Sequence, residues 1–238
     1  MIGQNLRRFI SPAICPTHAE LDLTNRGQVR EYLRHNKPES IIHCASNDDE
    51  TCLFDNLRMF VNLAESHIPM MIFSTGRDIE DRPGKVGEYI LSKHIAQELS
   101  LNKYSHITVI KLWGCFGRYE KDSRFIRSNF LRVKAGLPII VTENKLFSFV
   151  YVNELARIIK NLIMWKPERE LINIVGYTYS LLEYAEIIKD ITGSPHQIIV
   201  EGSNFSQSYV GPEERFSHIN IKEAIKEYWG EFNRCPGS

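Results

Sequence analysis

Short apolar runs alternate along the chain with longer stretches of helical period. Strand-like runs stand at 40–46 (SIIHCAS), 69–75 (PMMIFST), 107–116 (ITVIKLWGCF), 147–152 (FSFVYV), 171–176 (LINIVG) and 197–202 (QIIVEG). Amphipathic stretches between and around them predict helices over 25–36, 50–66, 87–102, 123–135, 153–164, 180–192 and 220–229. Asn25 and Ser180 carry the short polar side chains that cap helix N-termini, and Gly136–Leu137–Pro138 stops the helix before it. Apolar strands separated by one helix each predict β-α-β units in a parallel sheet covered on both faces. After about residue 120 the strands become isolated and the loops longer, as in a smaller lobe carried by the sheet. The expected fold is α/β, a doubly wound, Rossmann-like, mostly parallel sheet with a smaller C-terminal α+β lobe. The expected division is 1–165 for the part built on the parallel sheet, with some segments after 120 in the lobe, and 166–238 mainly for the lobe.

Composition changes this picture little. At 238 residues and 43% hydrophobic, the chain is long enough for one large domain, or a domain and a lobe. Lys plus Arg equals Asp plus Glu at 29 each, so no charge excess points to nucleic acid or a membrane surface, and neither is an expected partner. Cys15, Cys44, Cys52, Cys115 and Cys235 form no C-x-x-C pair. They read as reduced thiols, and no metal site is expected. With no signal-like or membrane-spanning apolar run, the expected location is the cytoplasm.

The chemistry concentrates in GEYILSK at 87–93, which sets Tyr89 and Lys93 four residues apart on one helix face. A Y-x-x-x-K match arises easily by chance, so its neighbourhood must give it weight. The run PMMIFST ends in Ser74 and Thr75, and ligands in such sheets bind outside the carboxyl ends of strands. A strand-end hydroxyl, a phenol and an ammonium together can pass a proton to a carbonyl or take one from an alcohol. The ammonium favours the phenolate, and the strand hydroxyl holds the substrate oxygen. Hydride transfer would need a nicotinamide cofactor, because no side chain supplies it. His43, inside an apolar run, reads as a core histidine, and Cys44 and Cys115 as small core residues.

Further segments carry a resemblance when taken in order: ELDLTNRGQVREYLRHNKPESIIHCAS, DNLRMFVNLAES, FST at 73–75, YILSK at 89–93, KLWGCFG at 111–117 and FSFVYVNELA at 147–156. Together they resemble the extended short-chain dehydrogenase/reductases, the NAD-dependent epimerase/dehydratase family that modifies nucleotide sugars. The resemblance implies catalytic roles for Thr75, Tyr89 and Lys93. It implies dinucleotide binding by 1–165 and substrate binding mainly by 166–238, a site for NAD or NADP at Gly3, Asp22, Leu23, Ala45, Ser46, Asn56 and Lys93, and substrate contacts from Ser74, Gly114 and Arg124. Plainer readings stay open for several of these: Asp22 as a turn former, Asn56 as an anchor of a backbone turn, Ala45 and Ser46 as residues that end a strand.

Departures from the family pattern bear on the substrate. Gly76 and Arg77 follow Thr75 where a 4,6-dehydratase carries an acidic pair, which argues against dehydration. Gly114 replaces an asparagine expected near the substrate's phosphates, and Asn153–Glu154 replaces Asp-Asp. Phe147 stands where many members place a diphosphate-binding arginine, with Arg124 or Arg127 as substitutes. The opening MIGQNLRRF resembles the family from its second glycine onward, with Gly3 as the third glycine and Leu6 as the first core residue of the first helix. On that reading the first strand and the glycines that face the pyrophosphate are missing, and Gly84, Gly87, Gly114 and Gly117 build no loop that could replace them. Such a chain is expected to bind NAD(H) or NADP(H) weakly and to be marginally stable or self-associating. The alternative is an unrelated N-terminal helix that carries M-I-G.

Two classes of function follow. One is an NAD(P)-dependent epimerase or reductase of a nucleotide-linked sugar, with a homodimer left open. The other is a catalytically silent family remnant or binding subunit without the dinucleotide site.

Overall fold

The computed structural model describes residues 1–48, 51–76, 87–165, 171–202, 208–212 and 219–234; Arg77, Gly84 and Cys235 lie outside the described residues. In chain order the elements are α1 (Ile2–Phe9), α2 (Arg26–Asn36), β1 (Ile41–His43), α3 (Leu53–Ala64), β2 (Met70–Thr75), α4 (Glu88–Asn102), β3 (Ile107–Leu112) and β4 (Gly114–Phe116). They continue with α5 (Phe125–Lys134), β5 (Ile139–Val141), β6 (Leu146–Tyr151), α6 (Val152–Trp165), β7 (Leu171–Ile174), β8 (Tyr177–Ser180), α7 (Leu181–Thr192), β9 (Ile198–Val200) and α8 (Ile221–Arg234).

Both expected N-caps form. The Asn25 side chain accepts from the Gly27 and Gln28 amides, and Ser180 makes a reciprocal capping box with Glu183. Gly136 and Gly193 take the left-handed conformation just past α5 and α7, where a side chain would be strained.

The chain packs as two units. The first holds Ile10–Leu112 and Ile159–Asn173. Its sheet has the order β1-β2-β3-β7, and β1, β2 and β3 run parallel, with Ile41 opposite Met70 and Ile72 opposite Val109. Five of the six β2 residues are buried, as expected for a strand covered on both faces. Phe60, Leu63, Met70, Ile72, Ile107 and Val109 form the centre of this core, under α3 and α4. The α/β class and the mostly parallel sheet expected from the sequence are therefore present.

The second unit holds Met1–Phe9, Trp113–Ile158 and the residues from Ile174 onward. It contains the sheet β4-β6-β8 and the parallel pair β5-β9, with β6 and β8 antiparallel. Aromatic side chains dominate its core: Phe116, Phe130, Phe149, Tyr151, Tyr184 and Tyr228. Here α1 buries Leu6, as expected of the first helix, and anchors by Asn5, whose amide donates to the Arg118 carbonyl at 2.7 Å.

Three expectations change. ITVIKLWGCF is two strands, because the chain leaves the first sheet after Leu112 and enters the second at Gly114. LINIVG ends as a strand at Ile174, and the following YTYS forms β8. Gly176 makes that passage possible, since a Cβ there would lie 1.8 Å from the Phe149 carbonyl oxygen. The three-residue β5 is too short to show a period. No helix among the described residues is long and apolar enough to cross a membrane.

Candidate active site

The site grows from the carboxyl end of β2 and the first turns of α4. Ser74 and Thr75 close β2, and the Gly76 amide extends the ladder to the Leu112 carbonyl at 2.7 Å. Helix α4 opens at Gly87 without a side-chain cap. The Glu88 carboxylate instead accepts from the Leu53 amide at 2.9 Å, which joins the starts of α3 and α4.

One turn into α4, the Lys93 ammonium lies over the Tyr89 ring, 5.5 Å from its centroid. The four-residue spacing has produced a real contact on one helix face. Burial pushes the Lys93 ammonium down to about 8, against a smaller opposite pull from the Cys44 and Cys52 thiols. His43 is buried nearby, and desolvation, reinforced by Lys93, holds its imidazole neutral with a pKa of about 3. That is the core histidine expected. Burial also pushes the Cys44 thiol up to about 12, so it stays protonated and weakly nucleophilic.

A cavity of about 20 Å³, room for about one water molecule, opens here between β1, α3 and α4; its lining includes His43, Ala45, Ser46, Asn56, Ser92 and Lys93. Four of the residues expected around a cofactor thus meet at one place. Asn56 works through the backbone: its amide oxygen accepts from the Asn47 amide, and its nitrogen donates to the Asn47 carbonyl, both at 2.8 Å. The same nitrogen donates to Ser92 Oγ at 3.2 Å, and Ser92 Oγ donates to the Tyr89 carbonyl at 2.7 Å. The residue therefore anchors the turn after β1 and touches the helix turn that carries Tyr89.

The other expected residues fall elsewhere. The Asp22 carboxylate accepts from the Thr24 amide and hydroxyl at 2.9 and 2.7 Å, bonds that lower its pKa, and the Leu23 carbonyl accepts from Asn62 at 2.8 Å. Both stand just before α2, in the unit that holds Tyr89. The Ser74 hydroxyl is buried and donates to Gln97 Oε1 at 2.9 Å. Gly3, Gly114 and Arg124 belong to the other unit. A Cβ at Gly114 would come within 2.4 Å of the Phe147 ring, so that ring lies against the bare backbone of β4. Arg124 is exposed at the start of α5, whereas the Arg127 guanidinium is paired with Asp122 and lies over Phe232.

Sequence reasoning passed over Ser92 and Gln97. The signal for Gln97 was available, because Tyr89, Lys93 and Gln97 recur every fourth residue along one face of α4. The residues around the cavity are ones that could hold a cofactor. Ala45 and Ser46 are small and exposed at the carboxyl end of β1, and Lys93 supplies a hydrogen-bonding ammonium.

Known proteins resemble the chain in sequence and in fold. The chain is 22% identical over 244 residues to the GDP-L-colitose synthase of Yersinia pseudotuberculosis, covering 81% of this chain and 79% of that protein. Its fold is similar to that of a GDP-L-fucose synthetase from Naegleria fowleri bound to NADP, with a TM-score of 0.77 at 14% identity over 98% of this chain and 90% of that one. It is also similar to the Thermus thermophilus UDP-glucose 4-epimerase in complex with NAD, with a TM-score of 0.72 at 14% identity over 98% and 96% of the two chains. The description of the NAD dependent epimerase/dehydratase family matches residues 4–174, well over half of the chain and all of the elements that carry Thr75, Tyr89 and Lys93; the chain belongs to that family.

Proposed function

We propose that the chain acts on a sugar linked to a nucleoside diphosphate, as an NAD(P)-dependent 4-keto reductase or 4-epimerase. The observation that supports this most is the Lys93 ammonium over the Tyr89 ring, one turn into the helix that follows the Thr75 strand. Tyr89 is the general acid/base, giving its hydroxyl proton to a sugar carbonyl oxygen or taking one from the alcohol. Lys93 favours the phenolate by charge, and with a pKa of about 8 it is still about ten-to-one protonated at pH 7. Thr75 holds the reacting oxygen by a hydrogen bond. Ala45, Ser46 and Lys93 would hold the nicotinamide side of the cofactor, with Asn56 keeping the turn after β1 in place. When bound, that cofactor supplies hydride-transfer chemistry.

The relatives named above are a GDP-L-colitose synthase, a GDP-L-fucose synthetase and a UDP-glucose 4-epimerase, which supports this substrate class. Gly76, in the place of a dehydratase acid, favours reduction or epimerisation over dehydration. The Ser74 hydroxyl is buried and engaged by Gln97, whereas Gly114 and Arg124 remain substrate-side proposals, as do Gly3, Asp22 and Leu23 on the cofactor side. The same holds for the division of labour between 1–165 and 166–238. The test is a panel of GDP- and UDP-linked sugars and their 4-keto forms, with NADH or NADPH. Consumption of reduced cofactor marks a reductase, and inversion at C4 without net consumption marks an epimerase. Neither outcome with any member of the panel contradicts the proposal.

A further inference from the structure

The Ser74–Gln97 bond ties together the two elements that carry the chemistry. Ser74 precedes Thr75 at the end of β2, and Gln97 follows Lys93 by one turn of α4. Both side chains are buried, at 6% and 8% exposure, and the hydroxyl donates to the amide oxygen at 2.9 Å. Here α4 packs directly on β2. At about 1.5 Å of rise per residue, Lys93 stands roughly 6 Å and Tyr89 roughly 12 Å along α4 from Gln97, toward the helix N-terminus. The bond therefore sets how far α4 reaches past the end of β2. A slip of one residue would shift Tyr89 and Lys93 by about 1.5 Å relative to Thr75. Glu88 and Ser92 tie α4 to α3 by hydrogen bonds, whereas Ala96, Ile72 and Phe73 offer apolar surface without direction, and the Ser74–Gln97 bond is directional between α4 and β2.

We propose that Gln97 is a positioning residue of the active site, which acts through Ser74 to fix the level of Tyr89 and Lys93 against Thr75. The proposal rests on the reading of those three residues given above. Gln97 is also uncharged, and this matters to Lys93. Among the described residues, the titratable groups acting on that ammonium are the Cys44 and Cys52 thiols and the His43 imidazole, with the Tyr89 ring beside it. A glutamate at 97 would keep the acceptor for Ser74 and bring a carboxylate one helical turn from Lys93.

Gln97→Leu, Ser74→Ala and Gln97→Glu separate the possibilities. Gln97→Leu and Ser74→Ala each lower kcat about tenfold or more while KM for the sugar stays within about twofold, since misplacement of reacting groups by a fraction of an ångström acts on the chemical step. Ser74→Ala removes a single oxygen atom and keeps the packing, so it carries the test if Gln97→Leu does not fold. Gln97→Glu restores kcat to within about threefold and moves the basic limb of the rate–pH profile upward, because its carboxylate stabilises the ammonium. Full activity in Ser74→Ala overturns the proposal. A second readout needs no turnover: the Lys93 ε-carbon resonance, assigned by its loss in Lys93→Met and followed against pH. Its midpoint rises by about one pH unit in Gln97→Glu if position 97 shares the face of Lys93. An unmoved midpoint overturns the placement, even if the protein turns over no nucleotide sugar and only the functional reading has failed.

Discussion

The Lys93 ammonium sits 5.5 Å from the centroid of the Tyr89 ring, on a helix face that also faces buried His43 and two thiols. No described carboxylate balances it there, so the charge is held at a cost that the pKa of about 8 records. The ammonium's ordinary pKa is 10.5, and the folded state lowers it. The penalty is therefore full below pH 8, shrinks as pH rises, and vanishes above 10.5. Lys93→Met is expected to raise stability at pH 7 by roughly 1–3 kcal/mol while abolishing turnover. Thermal melts of both proteins at pH 7 check this, and an equal or lower Tm in the variant contradicts it.

His43 makes the opposite demand at acid pH. Its folded pKa of about 3 lies below the ordinary 6.5, so the unfolded chain binds the extra proton between those values. Stability is intact above 6.5 and is lost progressively as pH falls toward 3. In His43→Leu this part of the acid sensitivity should disappear. Urea midpoints measured between pH 7 and pH 4 should fall less steeply in the variant than in the parent.

Glu120 sets the alkaline side in the other unit. It is buried near Tyr228, and burial pushes its carboxyl from 4.5 to about 8 against weaker opposing effects from Tyr228, Arg124 and Arg127. A carboxyl whose folded pKa is raised contributes stability below 4.5 that is lost as pH rises through 8. Glu120→Gln keeps the shape without the proton. Its stability should change less between pH 6 and pH 9 than that of the parent, as followed by chemical denaturation.

Gly114 and Phe147 read in the sequence as two separate departures from the family. The structure makes them one packing event, because a Cβ at 114 would lie 2.4 Å from the Phe147 ring and 2.7 Å from the Ser148 carbonyl oxygen. Gly114→Asn alone should destabilise by about 2 kcal/mol or more through overpacking. Adding Phe147→Ala should recover part of the loss, a non-additivity that a double-mutant cycle measures directly. Additive effects would show that the two positions are independent.

That pair also marks what a single sequence can and cannot disclose. The helices were legible because their signals are local: Asn25 and Ser180 cap where expected, and the Tyr89–Lys93 spacing became a contact. The parallel strands were legible because buried runs such as MMIFST carry no alternation to confuse them. The break at Trp113 was not, since an apolar run reads the same whether it stays in one sheet or passes to another. The interleaving of the two units, with α1 grouped beside residues beyond 113, depends on long-range bonds such as Asn5 to Arg118 that leave no periodic trace. The candidate site was legible as a list of residues, but the hydrogen bonds that hold it, Asn56 to Asn47 and Ser74 to Gln97, were not.

The central claim is that Tyr89 moves the proton in a nicotinamide-dependent reaction on a nucleotide-linked sugar. It is tested most directly by comparing turnover of Tyr89→Phe with the parent on the best sugar of the panel, following reduced nicotinamide or C4 inversion, with circular dichroism to establish that the variant is folded. The account predicts a loss of about a hundredfold or more in kcat with the melting temperature nearly unchanged. Near-parental turnover in Tyr89→Phe would contradict it.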